Sequence, residues 1–218
     1  MVKTKSFFKT FSLSSPTLVL NAMSVFEPVF NYYCRLLRSS MKFDVQPGRA
    51  KYLNVHYNYV LVNGTKLYDL IDKIGPNFYS LLSHTTFLSF LKCIFYVGKG
   101  CKTRKYNHIM KGNSLLRQKS SSSCARFERI LDIWNRGQAV AIIQLADVCH
   151  HEAMSREFSI IKAVGINNLT NIINSSCYGA MRKWSKIEIS NFGIMCLYNA
   201  FLSTLNDHPI LWYSHNIP

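Results

Sequence analysis

Residues 95–100 read Phe95-Tyr96-Val97-Gly98-Lys99-Gly100, FYVGKG, and the choice of fold turns on them. Two glycines around a lysine suggest a loop that cradles phosphate. A Walker loop, however, needs Gly-x-x-x-x-Gly-Lys followed by Ser or Thr. Here the four-residue spacer and the trailing hydroxyl are both missing. A dinucleotide fingerprint needs a third glycine at position 103, which is threonine, inside a parallel strand-helix-strand unit. With both nucleotide-holding folds excluded, the stretch reads as a strand, Cys93 to Val97, that stops at Gly98, where Gly98 and Gly100 let the chain turn sharply.

Upstream, His56 to Asn63 (HYNYVLVN) is rich in aromatic and branched residues and ends at Asn63-Gly64, a strand with a turn signal behind it. Residues 65–91 are mixed, with Gly75-Pro76 as a breaker. Downstream, Lys102 to Met110 has helical character, and Arg104 and His108, spaced i and i+4, would share one of its faces. A polar run, Lys119 to Ser123, precedes Phe127, Ile130, Leu131 and Trp134, the stripe of an amphipathic helix capped at Gly137. Ala139 to Leu145 (AVAIIQL) is a short buried strand. Asp147 is placed to cap a helix from Val148 or Cys149 to about Val164, ended by Gly165. The order is strand, strand, helix, helix, strand, helix.

Charge is uneven along the 218 residues. The whole chain carries +15, and residues 98–136 hold ten bases against two acids, so the basic excess peaks just after the glycine pair. That pattern favours a polyanionic partner, nucleic acid or an anionic membrane surface. Seven cysteines, with no Cys-x-x-Cys pair, support neither a disulfide framework nor a zinc knuckle and fit a reducing compartment. Cys149-His150-His151 does not make a zinc site, because adjacent helical residues point to different faces and no second ligand pair follows. The longest apolar stretches, Thr17–Phe26 and Phe192–Leu205, fall short of the roughly 18 residues of a membrane span, so no stable membrane insertion is expected. Residues 1–26 contain three lysines and no acid. Residues 1–50 therefore read as a basic, poorly ordered arm, with an organellar transit peptide as the alternative. The expected address is the nucleus or cytoplasm, or the mitochondrion on that alternative.

The ordered set Tyr59, Tyr96-Val97-Gly98-Lys99, Arg104, His108, Glu157 and Asn171 resembles the GIY-YIG nuclease family. The second motif matches well. The first departs, with Tyr57-Asn58-Tyr59 in place of Gly-Ile-Tyr and only the final tyrosine kept. Together with "REFSIIKAVGINNLTN", it looks like the nuclease domain of animal ankyrin-repeat and LEM-domain proteins, over about residues 56–179. The resemblance implies an α+β fold with a small central antiparallel three-stranded sheet flanked by helices. It implies a nuclease domain over 51–179, leaving 180–218 as an extension of unknown role.

It also implies a single-metal site. Glu157 would be the one hard oxygen ligand of Mg2+, with Mn2+ as the alternative, waters and a phosphate filling the other positions. Arg104 is a permanently charged planar donor suited to phosphate oxygens. His108 titrates near working pH and could move a proton or hold the water. Tyr59 and Tyr96 would flank the attacking water, one of them as general base, with Lys99 and the metal favouring a phenolate. Asn171 would orient a tyrosine or the phosphate. The expected substrate is DNA, branched or damaged forms included, cut as an endonuclease.

Singly, strand tyrosines are most often half-buried core, and a helical Arg or Glu is most often solvated. It is their joint order, with the basic segment between, that favours a site. Two rivals share parts of the pattern. One is a catalytically inactive nucleic-acid binding module of the same fold. The other is a membrane-surface or scaffolding protein acting through the basic arm.

Overall fold

The computed structural model describes residues 16–41, 55–75, 84–173 and 175–217. Strand β1, His56–Asn63, is buried along nearly its whole length because it is paired antiparallel on both sides. Its neighbours are β2, Ile94–Cys101, and β3, Val140–Val148. A two-residue β4, Leu211–Trp212, adds to β3, giving the order β2-β1-β3-β4. The sheet thus has four strands rather than three. The fourth was illegible, since two residues carry no periodicity.

Successive side chains of β1 point to opposite faces, and helices cover both. Val60 and Val62 join one core with α1 (Pro16–Met41), α2 (Gly64–Ile74), α3 (His84–Cys93), α6 (His150–Val164) and α7 (Lys186–Asn206). Tyr57, Tyr59 and Leu61 join a second core with α4 (Asn107–Arg117) and α5 (Ala125–Asn135). A strand covered on both faces reads as a continuous apolar run, as HYNYVLVN does.

Strand β2 does not stop at Gly98. It runs through both glycines to Cys101, and the chain turns only afterwards, where Lys102 takes a left-handed φ of 51°. Gly98 is required by proximity instead. It pairs with Tyr59 in register, and a Cβ there would sit 2.6 Å from Tyr59 Cζ and 2.9 Å from Tyr96 Cε1.

Three other expectations need correction. Arg104 lies on a 3-10 turn, Arg104–Tyr106, while His108 lies on α4, so they do not share a face of one helix. Asp147 is inside β3 opposite Tyr57, and Cys149 takes the N-cap position of α6. The second part of the presumed N-terminal arm is helix α1, whose Tyr33, Cys34, Leu37 and Met41 are buried in the first core; residues 1–15 and 42–50 lie outside the described ones. The stretch after residue 179 holds α7, opened by a Ser185/Glu188 capping box and packed on α6.

α1 is tied to α6 by charge. Arg156 and Glu152, both 2% exposed, pair at 2.8 Å, and Arg38 Nε reaches both Glu152 oxygens at 3.2 Å. Removing one partner of a buried pair strands the other charge in a low dielectric. Glu152→Ala should therefore cost about 3–5 kcal/mol in urea unfolding, and a loss below about 1 kcal/mol would mean that Arg156 is solvated.

Candidate active site

Opposite Gly98, the Tyr59 ring occupies the space a side chain would have filled. Tyr59 and Tyr96 lie with ring centroids 6.2 Å apart, and His108 from α4 closes the triangle at 5.6 Å and 5.2 Å. Tyr59 Oη and His108 Nε2 are 2.5 Å apart. Burial sets the protonation states. It pushes His108 down to about 4, helped by the charges of Arg126 and Arg104, so the imidazole is neutral at pH 7. It raises Tyr59 strongly, with the Tyr96 hydroxyl adding to the effect. Tyr96 is raised by burial and by Glu157 too, while Arg126 and the Tyr59 hydroxyl pull the other way, so of the two Tyr96 has the better-supported phenolate.

Only one of these tyrosines meets solvent. Tyr59 is 1% exposed, whereas Tyr96 lines a cleft of about 410 Å³ with Cys124, Arg126, Glu157, Asn171 and Ser175. Both tyrosines around one water, as expected, does not fit: Tyr96 faces the cleft and Tyr59 stands behind it with His108.

The cleft lies along the free edge of the sheet. β2 is an edge strand, and an edge presents unpaired backbone groups. Thr170 takes the Phe95 carbonyl with its backbone N–H at 2.7 Å and its hydroxyl at 2.9 Å. The Asn171 amide brackets Val97, accepting from its N–H at 3.0 Å and donating to its carbonyl at 2.8 Å. Glu157 comes next, from α6. Burial raises its pKa, while the Ser175 hydroxyl, the charges of Lys99 and Arg104, and the Lys99 backbone N–H favour the carboxylate. Lys99 acts on Glu157 rather than on the tyrosines; the cation beside the tyrosines is Arg126.

Arg104 is exposed and is not among the residues that line the cleft, yet its charge reaches Tyr59, His108 and Glu157. Its turn is held by the unusual first motif. The Tyr57 hydroxyl donates to the Lys102 carbonyl at 2.7 Å and accepts from the Lys105 N–H at 3.3 Å. Asn58, fully buried, donates to the Ala153 carbonyl at 2.8 Å. The two positions that depart from Gly-Ile-Tyr therefore bind β1 to the Arg104 turn and to α6.

Sequence reasoning missed Arg126. It sits in the first turn of α5, beside an amphipathic stripe, where an arginine reads as solvated. Its guanidinium carbon lies 4.5 Å from the Tyr96 ring centroid and 4.9 Å from that of Phe127. No local signal marks it, because the contact with Tyr96 joins residues 30 positions apart.

Among the described residues no cluster of three or more His, Cys, Asp or Glu side chains could hold a metal. Beside the Cys124 thiol the cleft offers hard oxygens, the Glu157 carboxylate and the Ser175 hydroxyl, which suit a hard divalent cation. The residues present fit such an ion.

Residues 56–216 match the LEM-3-like GIY-YIG domain. The chain belongs to the LEM-3-like GIY-YIG family. Its GIY-YIG domain is of a nuclease type that generally depends on a divalent metal. Ankyrin repeat and LEM domain-containing protein 1 of Homo sapiens is 31% identical over 150 residues, 67% of this chain and 24% of that protein. The Caenorhabditis elegans homolog is 33% identical over 129 residues, 58% of this chain and 18% of its own length. The chain thus spans about a quarter or less of these relatives. No solved structure matches the GIY-YIG chain at a significant level. Among the described residues, no helix is long and apolar enough to cross a membrane.

The raised Glu157 pKa gives a signed prediction. The folded state favours the neutral carboxyl, so that contribution is fully present below 4.5, the unshifted value, and is lost as pH rises through the raised one. Metal-free Glu157→Gln should melt above wild type at pH 7, and the gain should vanish below pH 4.5 in thermal scans. A gain that persists unchanged into acid would refute the assignment.

Proposed function

We propose that the chain is a metal-dependent endonuclease that hydrolyses DNA phosphodiester bonds in the cleft between Tyr96 and Glu157. The observation that carries this is the meeting of Tyr96, backed by Tyr59 and His108, with the single carboxylate of Glu157 in one cleft. The segment 98–136, which carries a +8 excess and supplies Arg126 to the cleft, suits a polyanionic substrate.

In this reading Tyr96 acts as general base in its phenolate form, which Arg126 and the Tyr59 hydroxyl favour, and takes the proton of the attacking water. The Tyr59 hydroxyl and the neutral His108 behind it hold the phenolate oxygen in place. Arg104, exposed and near enough for its charge to act on Glu157, receives phosphate oxygens and stabilises charge as the phosphorus becomes pentavalent. Lys99 adds charge beside Glu157. Glu157 would hold Mg2+ or Mn2+, and such an ion would supply charge relief to the phosphate and the leaving oxygen. Asn171 keeps both ends of its amide on Val97 and so positions Tyr96 through the backbone. Seven free thiols accord with a nuclear or cytosolic address.

Plasmid and branched DNA incubated with Mg2+ provide the test. Wild type should nick, Glu157→Ala and Tyr96→Phe should each lose about 10²-fold or more, and Tyr59→Phe should lose less than Tyr96→Phe. Undiminished nicking by Glu157→Ala would sink the metal assignment. Binding without cleavage of any DNA would favour the inactive module.

A further inference from the structure

Arg126 has three properties that do not belong together in a merely structural arginine. Its guanidinium lies against two aromatic rings, Tyr96 and Phe127, and hydrogen-bonds the Tyr96 hydroxyl. It pairs with no carboxylate among the described residues, although Glu157 lines the same cleft. Its Nε is a buried donor with no acceptor. Buried polar groups are satisfied in the great majority of cases, and an orphan asks for an explanation.

An arginine that only braced a helix would extend to solvent or to an acid, and flexible side chains lose substantial entropy when fixed. Fixing a planar fork between rings removes that cost from a later binding event and orients the donors for a planar or tetrahedral oxyanion. The charge is also partly desolvated, which strengthens any anion contact it makes.

We propose that Arg126 is a substrate-binding residue of the cleft, donating to a non-bridging oxygen of the DNA phosphate that enters beside Tyr96 and Glu157. This rests on the nuclease reading for its substrate. Arg104 would meet the phosphate from the exposed surface and Arg126 from the cleft lining, two guanidiniums for a group that gains negative charge during the reaction. The proximity of Arg126 to Tyr96 also couples phosphate binding to the tyrosine that faces the water.

Arg126→Gln and Arg126→Lys separate this role from a structural one. Affinity for a short duplex is measured without divalent metal across a salt series, and single-turnover cleavage is measured with Mg2+. In Arg126→Gln the slope of log affinity against log salt should shrink by about one. Its cleavage rate at saturating DNA should fall by about 10²-fold. Arg126→Lys should restore the salt slope but not the rate, since an ammonium lacks the fork. If Arg126→Gln proves unfolded by circular dichroism, the lysine variant decides: wild-type rate overturns the proposal, and a rate loss at wild-type melting temperature supports it.

An unchanged salt slope and unchanged affinity in folded Arg126→Gln overturn the proposal whether or not wild type cleaves. Conversely, a slope that depends on Arg126 in a protein that cleaves nothing would retain the anion contact and reject the nuclease reading.

Discussion

The constraint on which the site depends is the open edge of β2. An edge strand leaves every second residue's N–H and C=O unpaired, and such groups must be covered, charged or hydrogen-bonded elsewhere. Here Phe95 is met by Thr170 and Val97 by Asn171, while the Lys99 N–H faces Glu157. The residues that satisfy the edge are those that build the cleft wall. Tyr96, between Phe95 and Val97, is thereby fixed at both flanking peptides. A side chain aimed at a reactive atom needs such fixation, because small displacements have large effects on rate.

A second constraint acts across the sheet. With Gly98 opposite it, the Tyr59 ring can lie flat over β2, reach His108 and approach Tyr96. Helix α6 then divides its two glutamates by environment. Glu152, one turn earlier, is locked between Arg156 and Arg38 and ties α1 to the core. Glu157 faces the cleft with its ionisation balanced between burial and nearby cations. Both are glutamates on one helix, and only the local field separates a structural ion pair from a site carboxylate.

Much of the fold was legible because it rests on local patterns. The strand at 56–63, the part of β3 read as 139–145, the stripe Phe127, Ile130, Leu131, Trp134 and the ending at Gly165 all have periodicity or a cap that a window of residues reveals. The glycine pair misled because glycine signals a turn and a close approach equally well, and only the register with Tyr59 distinguishes them. Of the positions that the family pattern singles out, Tyr96, Lys99, Glu157 and Asn171 lie on or against the β2 edge, Tyr59 and His108 stand behind Tyr96, and Arg104 lies on an exposed turn. Arg126 and the roles of Tyr57 and Asn58 were invisible for one physical reason: each is defined by a partner 30 or more residues away, and the only local cue, a polar side chain on a helix or strand, has a solvated reading by default.

The most direct measurement combines two readouts on Asn171→Ala, amide exchange at Val97 and single-turnover cleavage at saturating DNA. If the Thr170–Asn171 segment holds Tyr96 in place through the β2 edge, Val97 should lose exchange protection and the rate should fall by about 10²-fold with DNA affinity unchanged. Free exchange at Val97 in a variant that cleaves as fast as wild type would contradict the dependence of the site on that edge.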